Sequence, residues 1–335
     1  MIEIENRKGL PVEYESFLVE KYESYVTTCR YVEIFYGTFE INYLLVHEDG
    51  RLIDLLIFGT SGNTSKCFNL FAEFDQRVLG LCVKRQFDEY PGIQKIEVGA
   101  SYKKIDLPNS FLQDKTNDQV VKLPTSIDDY FAALGYSTRK NARRQKKKLL
   151  TDYPQTNFVI RYGSEIDKSV VEKVLTMNEI RMKEKGIVYK SHFALDDIYR
   201  FLQHYGVAVY IDVDGVIVAG TISSIINKRI FALVVGHDSN FSQYSVGLMV
   251  QFVEMQEFIE KGLTTVHFLW GDNDYKKRLL GTPRALFSYQ IYRNYSFDFI
   301  LNKCKAQYRL AYIKVKQSVF FKPVRELVKL SRRRL

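Results

Sequence analysis

The segment around Gly247 has the residue types of a site that binds phosphate. It reads Tyr244-Ser-Val-Gly-Leu-Met249, and the pattern predicts that a loop becomes a helix here. The N–H groups of Val246, Gly247 and Leu248 would lie in the first helical turn, which has no internal acceptors for them. With the helix dipole, they predict an anion site. The alternative is that Gly247 only permits a tight turn.

Two residues near this segment could accept a proton. His237, followed by Asp238, ends a predicted strand, and a side chain that titrates near neutrality suits a general base. The alternative is a structural histidine at a strand end. Glu254, inside the helix that follows, is a weaker candidate for the same role.

A second polar group follows the strand that ends at Trp270. Asp272 could bind an acceptor amine or hydroxyl, or cap a helix that contains Tyr275. Tyr275 could pack its ring and bond through its hydroxyl. Lys276 could hold a phosphate or carboxylate as a compact cation, or be one solvated member of a run of three basic residues.

No spacing in the sequence predicts a metal site or a disulfide framework. None of the four cysteines falls in a C-x-x-C pair, and the five histidines form no H-x-x-x-H pair. The N-terminus lacks the apolar core of a signal peptide, and no run approaches the ~20 apolar residues that span a bilayer. We therefore expect a cytoplasmic protein in a reducing compartment.

Length and charge add two expectations. A chain of 335 residues favours two domains over one. The net charge of +9 is concentrated in residues 139–148 and 322–334, which indicates anionic partners such as a nucleotide, nucleic acid or an anionic membrane. The first cluster could instead be a solvated face. Residues 315–335 could lie peripherally on the inner membrane face as an amphipathic helix, or pack as a closing helix.

The same order of elements occurs twice along the chain. The first copy has a hairpin that turns at Asp49-Gly50, then a strand, a helix and a strand, expected at 67–71, 75–87 and 95–99. The second has a hairpin that turns at Asp214-Gly215, then the same elements at 229–236, 246–261 and 264–270. This repeat predicts an α/β fold of two lobes, each a mixed sheet flanked by helices. Generic α/β alternation is the alternative.

The predicted lobes cover residues 1–108 and 127–300. The polar stretch 109–126 predicts a linker, and 301–335 a basic tail. A helix is expected over 127–150, carrying the basic cluster.

Four segments of the C-terminal half resemble the cellulose-biosynthesis (CelD-like) acyltransferases of the GNAT superfamily, which are relatives of the peptidoglycan FemABX transferases. They are similar to the family's basic helix, its hairpin, its "gyd…ya-ys-P-G" stretch and its "G-x-x-x-Y-K" signature, and they lie at 137–149, 214–215, 235–247 and 268–276. They occur in the family's order and spacing. The N-terminal lobe is similar only in the order of its elements.

The resemblance implies two tandem GNAT-like lobes and direct attack of an acceptor on acyl-CoA, most simply acetyl-CoA, without a metal. It implies Tyr275 as the acid that protonates the departing thiolate, with His237 and Asp272 near the acceptor. The coenzyme A phosphates would meet the segment containing Tyr244, Val246, Gly247 and Leu248, and also Lys276.

Two departures from the family concern this loop. Val246 stands where the family often has proline, and Met249 stands at the second glycine of the acyl-CoA loop.

The resemblance implies acyl transfer to an amine or hydroxyl of a sugar or glycan precursor in polysaccharide or cell-envelope biosynthesis. One alternative is a Fem-like aminoacyl transferase that uses charged tRNA, which the basic clusters favour. The other is a non-catalytic two-lobe interaction module.

Overall fold

The computed structural model describes residues 1–184, 186, 194–271 and 273–317. Its strands are β1 (Ile2–Lys8), β2 (Glu40–Glu48), β3 (Arg51–Ser61), β4 (Thr64–Cys67), β5 (Lys95–Ser101), β6 (Ser110–Lys122), β7 (Thr156–Tyr162), β8 (Gly206–Val213), β9 (Val216–Ile226), β10 (Arg229–His237), β11 (Thr265–Trp270) and β12 (Thr282–Tyr292). Its α-helices are α1 (Glu15–Tyr22), α2 (Cys29–Tyr36), α3 (Gln76–Glu89), α4 (Ile127–Ala133), α5 (Tyr136–Asp152), α6 (Lys168–Glu184), α7 (Leu195–Tyr205), α8 (Val246–Glu260), α9 (Asp274–Arg278) and α10 (Phe297–Gln317).

The chain divides into two compact units. The first contains residues 1–8, 39–116 and those from 286 onward, and the second contains 9–38 and 117–285. Residues 9–38, predicted within the N-terminal lobe, thus belong to the second unit.

In the first unit the strands follow the order β1-β2-β3-β4-β5-β12. The hairpin of β2 and β3 turns at Asp49 and Gly50, both with positive φ (50° and 77°) as predicted. Helix α3 buries the predicted apolar face, which includes Val78, Leu79 and Cys82. β4 then pairs in parallel with β5, so the predicted order of hairpin, strand, helix and strand is confirmed here. The strand expected at 67–71 ends at Cys67, however, because β4 spans Thr64–Cys67.

In the second unit the order is β6-β11-β10-β9-β8-β7, with β10 and β11 as the parallel pair. Asp214 and Gly215 form the hairpin turn at positive φ (51° and 80°), again as predicted. The long helix α8 lies in a hydrophobic core cluster of this unit, where Val250, Met255 and Phe258 are buried.

Helix α6 packs unusually close to β10. A Cβ on Gly236 would stand 2.4 Å from the carbonyl oxygen of Val174 on α6, so only glycine permits this approach. The neighbouring His237 faces α8 instead. The second unit therefore has helices on both faces of its sheet, as predicted.

Two predicted boundaries differ from the structure. The expected linker 109–126 contains the 13-residue strand β6. The polar sequence of this segment did not predict a strand. One of its polar residues, Asp118, is fully buried, and it makes a hydrogen bond to His267 on β11 (2.7 Å). The helix expected over 127–150 is broken at Leu134 and Gly135 into α4 and α5.

The sequence analysis also missed several elements: β1, β7, β12, α1, α2 and most of α10. The expected tail 301–335 begins within α10, and the amphipathic segment beyond residue 317 lies outside the described residues. Over the described ranges, no helix combines the length and apolar character that a membrane span requires.

Candidate active site

The parallel strands β10 and β11 separate part-way along their length. They pair over three positions, the last of which joins Phe231 to His267. Beyond that row the strands diverge around a cavity of about 290 Å³. Its walls include residues 232–235 of β10 and 268–270 of β11.

Two side chains donate hydrogen bonds to backbone carbonyl oxygens of the separated strands. Lys276 Nζ donates to the three successive carbonyl oxygens of residues 268–270, at 2.8, 3.3 and 2.6 Å. Asn178 Nδ2 donates to the carbonyl oxygen of Val235 at 2.8 Å. These side-chain bonds replace the hydrogen bonds between β10 and β11, which end at Phe231 and His267. They are needed because buried carbonyl oxygens require donors. The ammonium of Lys276, 3% exposed, is engaged in holding the strand end, which differs from the expected phosphate contact.

A buried carboxyl group lies in this cavity. Glu254 of α8 is 1% exposed, and its Oε1 accepts a hydrogen bond from Ser223 Oγ at 2.6 Å. Burial raises the pKa of Glu254 to about 7, while the bond from Ser223 acts in the opposite direction. A carboxylate with this pKa can accept a proton near neutral pH.

The phenol of Tyr275 lines the same cavity. It lies on the short helix α9 that follows β11, and its ring meets Phe268 edge-on at 6.2 Å between centroids. Burial raises the pKa of Tyr275 to about 12, so its hydroxyl carries a proton throughout the physiological range. It is therefore a potential proton donor.

Helix α6 contributes a cation to the cavity. Arg181 lines it, and burial lowers the pKa of this guanidinium. Among the described residues, its Nε has no acceptor and no carboxylate forms an ion pair with it. The Oδ1 atom of Asn178, also buried, has no described donor. This wall can therefore bind a ligand that carries both a negative charge and a donor.

His237 lies against Gly247, away from this cavity. A Cβ at position 247 would stand 2.5 Å from His237 Nδ1. His237 and Gly247 are both absent from the described lining of the Tyr275 cavity. His237 is therefore not part of the described lining around Tyr275, and its contact with Gly247 explains why position 247 is a glycine.

The start of α8 is partly available to an anion. Ser245 adopts positive φ (52°) and makes no side-chain cap. Its carbonyl oxygen accepts from the N–H groups of Leu248 and Met249, each at 3.0 Å, so Leu248 is engaged. The N–H groups of Val246 and Gly247 remain in the first turn, where the helix offers no acceptor.

The corresponding helix of the first unit differs at this point. Asp75 accepts from the N–H groups of Arg77 (2.8 Å) and Val78 (3.1 Å) at the start of α3. Its carboxylate therefore occupies the position that an anionic ligand would take. Of the two helices, only α8 has an N-terminus without an acidic cap.

A second cavity, of about 310 Å³, lies beside the start of α8. Its lining includes Ser245 and Leu248, together with Asn141 and Gln145 of α5 and Arg278 of α9. Arg278 supplies a positive charge on this wall. The cavity is therefore suited to a polar, anionic ligand that reaches the first turn of α8.

Tyr244 also lines the second cavity, but its hydroxyl is engaged. It donates to Asp152 Oδ2 at 2.7 Å, and this bond raises the pKa of Tyr244 to about 12. The ammonium of Lys148 lies 5.1 Å from the ring centroid. Tyr244 can therefore contact a ligand through its ring.

The predicted site residues thus fall in three places. Tyr275 and Lys276 line the first cavity, and Tyr244 and Leu248 line the second. Val246 and Gly247 form the helix start beside them. Asp272 lies outside the described residues.

The sequence analysis did not single out Arg181 or Asn178, and it gave Glu254 as a weaker candidate than His237. Helical spacing could have identified Asn178 and Arg181, because they continue the face of α6 that contains the buried Val174 and Met177. Polar residues on an apolar helix face call for a partner or a ligand.

Residues 136–277 match the family of acetyltransferase (GNAT) domains. A search of curated protein sequences finds no match. Within the described residues, no three His, Cys, Asp or Glu side chains are grouped as a metal site would require.

Several solved structures share the fold at low sequence identity. FemX is 10% identical with a TM-score of 0.66, over 89% of this chain and 100% of FemX. L-PGS from Bacillus licheniformis is 12% identical with a TM-score of 0.53, over 90% and 97%. The C-terminal DUF2156 domain of a protein assigned as a lysylphosphatidylglycerol synthetase from Agrobacterium fabrum is 11% identical with a TM-score of 0.53, over 87% and 93%. At these identities the similarity is one of fold.

The domain match lies within the C-terminal half, where the sequence resembles the GNAT acyltransferases, and it supports an acyltransferase enzyme. The fold shared with FemX confirms the fold class predicted from the sequence, an α/β fold of two GNAT-like lobes.

Proposed function

We propose that the protein transfers an acyl group, most simply acetyl, from acyl-CoA to an amine or hydroxyl of a sugar or glycan precursor. The observation that carries this proposal is the pair of Glu254 and Tyr275 in one cavity between separated strands. Their pKa values, about 7 and about 12, suit a base and an acid at neutral pH.

In the proposed reaction, Glu254 takes the proton of the acceptor nitrogen or oxygen as that atom attacks the thioester carbonyl. The new C–N or C–O bond forms, and the C–S bond breaks when the tetrahedral intermediate collapses. Tyr275 donates its proton to the departing thiolate. The proton on Glu254 then returns through solvent to Tyr275, so the enzyme leaves the cycle unchanged.

The second cavity supports the choice of donor. The uncapped first turn at Val246 and Gly247 suits a pyrophosphate, and Arg278 adds positive charge on the same wall. Leu248 contributes an apolar contact, since its N–H group is engaged elsewhere.

The wall of α6 supports an acceptor that carries a negative charge. Arg181 would bind a phosphate or carboxylate of the acceptor, with Asn178 Oδ1 accepting from a hydroxyl. Trp270, 46% exposed at the edge of the cavity, offers a ring face to a sugar. These features fit a sugar phosphate or nucleotide sugar.

The test is acyl transfer measured with labelled acetyl-CoA and a panel of amino-sugar phosphates and nucleotide sugars. We expect kcat to rise with pH through about 7, as Glu254 loses its proton, and to fall at least about 100-fold in Glu254→Gln. Tyr275→Phe should lower kcat without a matching change in KM. Wild-type kcat in a folded Glu254→Gln variant would refute the assignment, and Glu172→Gln, an exposed glutamate on α6, is its control.

A second candidate is aminoacyl transfer from charged tRNA. Helix α5 carries seven Lys and Arg residues between positions 139 and 148, and none forms an ion pair with a described carboxylate. The fold shared with FemX and with the synthetase domain also supports this reading.

Donor binding separates the two candidates. Saturable binding of acetyl-CoA, weakened by Arg278→Gln, supports the first. Salt-sensitive tRNA binding without acetyl-CoA binding, weakened when Arg143 and Lys147 are replaced by Gln, supports the second.

A further inference from the structure

A third cavity lies in the second unit, on the other side of the last paired row of β10 and β11. Its volume is about 720 Å³, and it shares no lining residue with the Tyr275 cavity. The strand register explains its position, because Arg229 pairs with Thr265, which pairs with Lys122. One row across three adjacent strands therefore has a cation at each end and a hydroxyl between them.

The wall of this cavity is strongly basic. Arg284 and Thr282 of β12 also line the cavity, so three cations and two hydroxyls surround the space. Arg229 is paired with Glu23 at 2.5 Å, which offsets one positive charge. No acidic residue occurs among the described residues that line the cavity.

A buried imidazole lies at the inner side of the cavity. His267, 1% exposed, lines it, and its Nδ1 is 2.7 Å from Asp118 Oδ2. This bond fixes the orientation of the ring. The imidazole also stacks on Phe231 at 4.7 Å between centroids.

We propose that this cavity binds a small polyanion with phosphoryl groups, at a site separate from the proposed catalytic cavity. Lys122 and Arg284 would contact the phosphoryl oxygens, and Thr265 would donate from its hydroxyl. The hydroxyl of Thr282 donates to the carbonyl oxygen of Val120 at 3.0 Å. The Tyr275 cavity is connected to the site through Phe231, whose ring also lies 5.0 Å from that of Tyr25 in the catalytic lining. The site does not depend on the proposed function, since none of its residues acts in the transfer.

The test uses inorganic pyrophosphate as the probe, with orthophosphate as the less charged comparison, and the full chain at low ionic strength. Calorimetric titration should show saturable binding, tighter for pyrophosphate. The double variant Lys122→Gln/Arg284→Gln should bind at least about tenfold more weakly at this site. The double variant Arg161→Gln/Lys173→Gln, which removes two exposed cations elsewhere in the unit, should bind as the wild type does.

Histidine resonances separate this site from the proposed donor site. The chain has five histidines, so NMR of imidazole-labelled protein can follow each ring. Pyrophosphate in the third cavity should shift the His267 signal, whereas pyrophosphate at the start of α8 should shift the His237 signal. A shift at His237 alone, unchanged affinity in the Lys122 and Arg284 double variant, or no binding would overturn the proposal.

Discussion

The imidazole of His237 fills the space that a side chain at position 247 would need, with Nδ1 2.5 Å from the Cβ position of Gly247. The sequence analysis considered His237 as a general base and Gly247 as part of a phosphate-binding loop. The contact between them shows that both residues also pack against each other, which their spacing in the sequence does not reveal.

Gly247→Ala should destabilise the protein by about 1–3 kcal/mol, because the added methyl group forces the His237 ring to move. His237→Ala in the same chain should recover most of this loss, which urea unfolding of the two single variants and the double variant can measure. Equal destabilisation with and without the imidazole would show that the contact is unimportant. Because the double variant lacks the clash with His237, its acetyl-CoA affinity then measures the effect of the residue at position 247 on the anion site at the start of α8.

The stability of the protein should depend on pH through Glu254. Burial raises the folded-state pKa to about 7 from an ordinary 4.5, so the folded state holds a proton that the unfolded state has released between these values. Stability contributed by this proton is present below about pH 4.5 and is lost as pH rises through 7.

Glu254→Gln should therefore be more stable than the wild type at pH 8, by up to about 3 kcal/mol, and the gain should shrink towards pH 4.5. Urea unfolding at several pH values measures the difference. A gain independent of pH would contradict an elevated pKa. The exposed replacement Glu172→Gln should leave the pH profile unchanged.

Replacing the buried ammonium at position 276 should loosen the end of β11. Lys276→Met keeps much of the side-chain volume but leaves three carbonyl oxygens without their donor. We expect a loss of at least about 2 kcal/mol in the free energy of unfolding. The exposed neighbour offers the control, since Lys277→Met should change stability by less than about 0.5 kcal/mol. Similar losses in both variants would argue against a specific role for the Lys276 bonds.

The cap of α3 can be tested separately from catalysis. Asp75→Ala should cost about 1 kcal/mol, while Asp75→Asn, which keeps an acceptor oxygen, should cost less. Acetyl-CoA affinity should remain at the wild-type value in both variants. A change in donor affinity would show that the start of α3 takes part in binding.

The repeated order of elements was predictable because each part has a local signal. Asp49-Gly50 and Asp214-Gly215 require positive φ at both turn positions, which these residue types tolerate. The buried face of α3 follows from helical spacing. Strand β6 was not predictable in this way, because the buried Asp118 makes a hydrogen bond to His267, which lies 149 positions away.

The candidate site was predictable only in part. Tyr275 was singled out from the family signature, and the structure shows that its side chain lines the first cavity. Glu254 has the pattern of an ordinary helical glutamate, since the burial that raises its pKa depends on Ser223 and the rest of the sheet. Arg181 reaches the cavity because Gly236 lets α6 approach β10, a contact that no local pattern contains.

The separation of β10 from β11 also creates a free sheet edge in the interior of the second unit. Exposed edges recruit strands from other chains, and many proteins protect such edges with an inward-pointing lysine. Lys276 has that position here, on three carbonyl groups that another strand would otherwise use. Because this edge is buried, Lys276 acts within the fold: its ammonium occupies acceptors that a neighbouring strand of the same sheet could otherwise pair with in a shifted register.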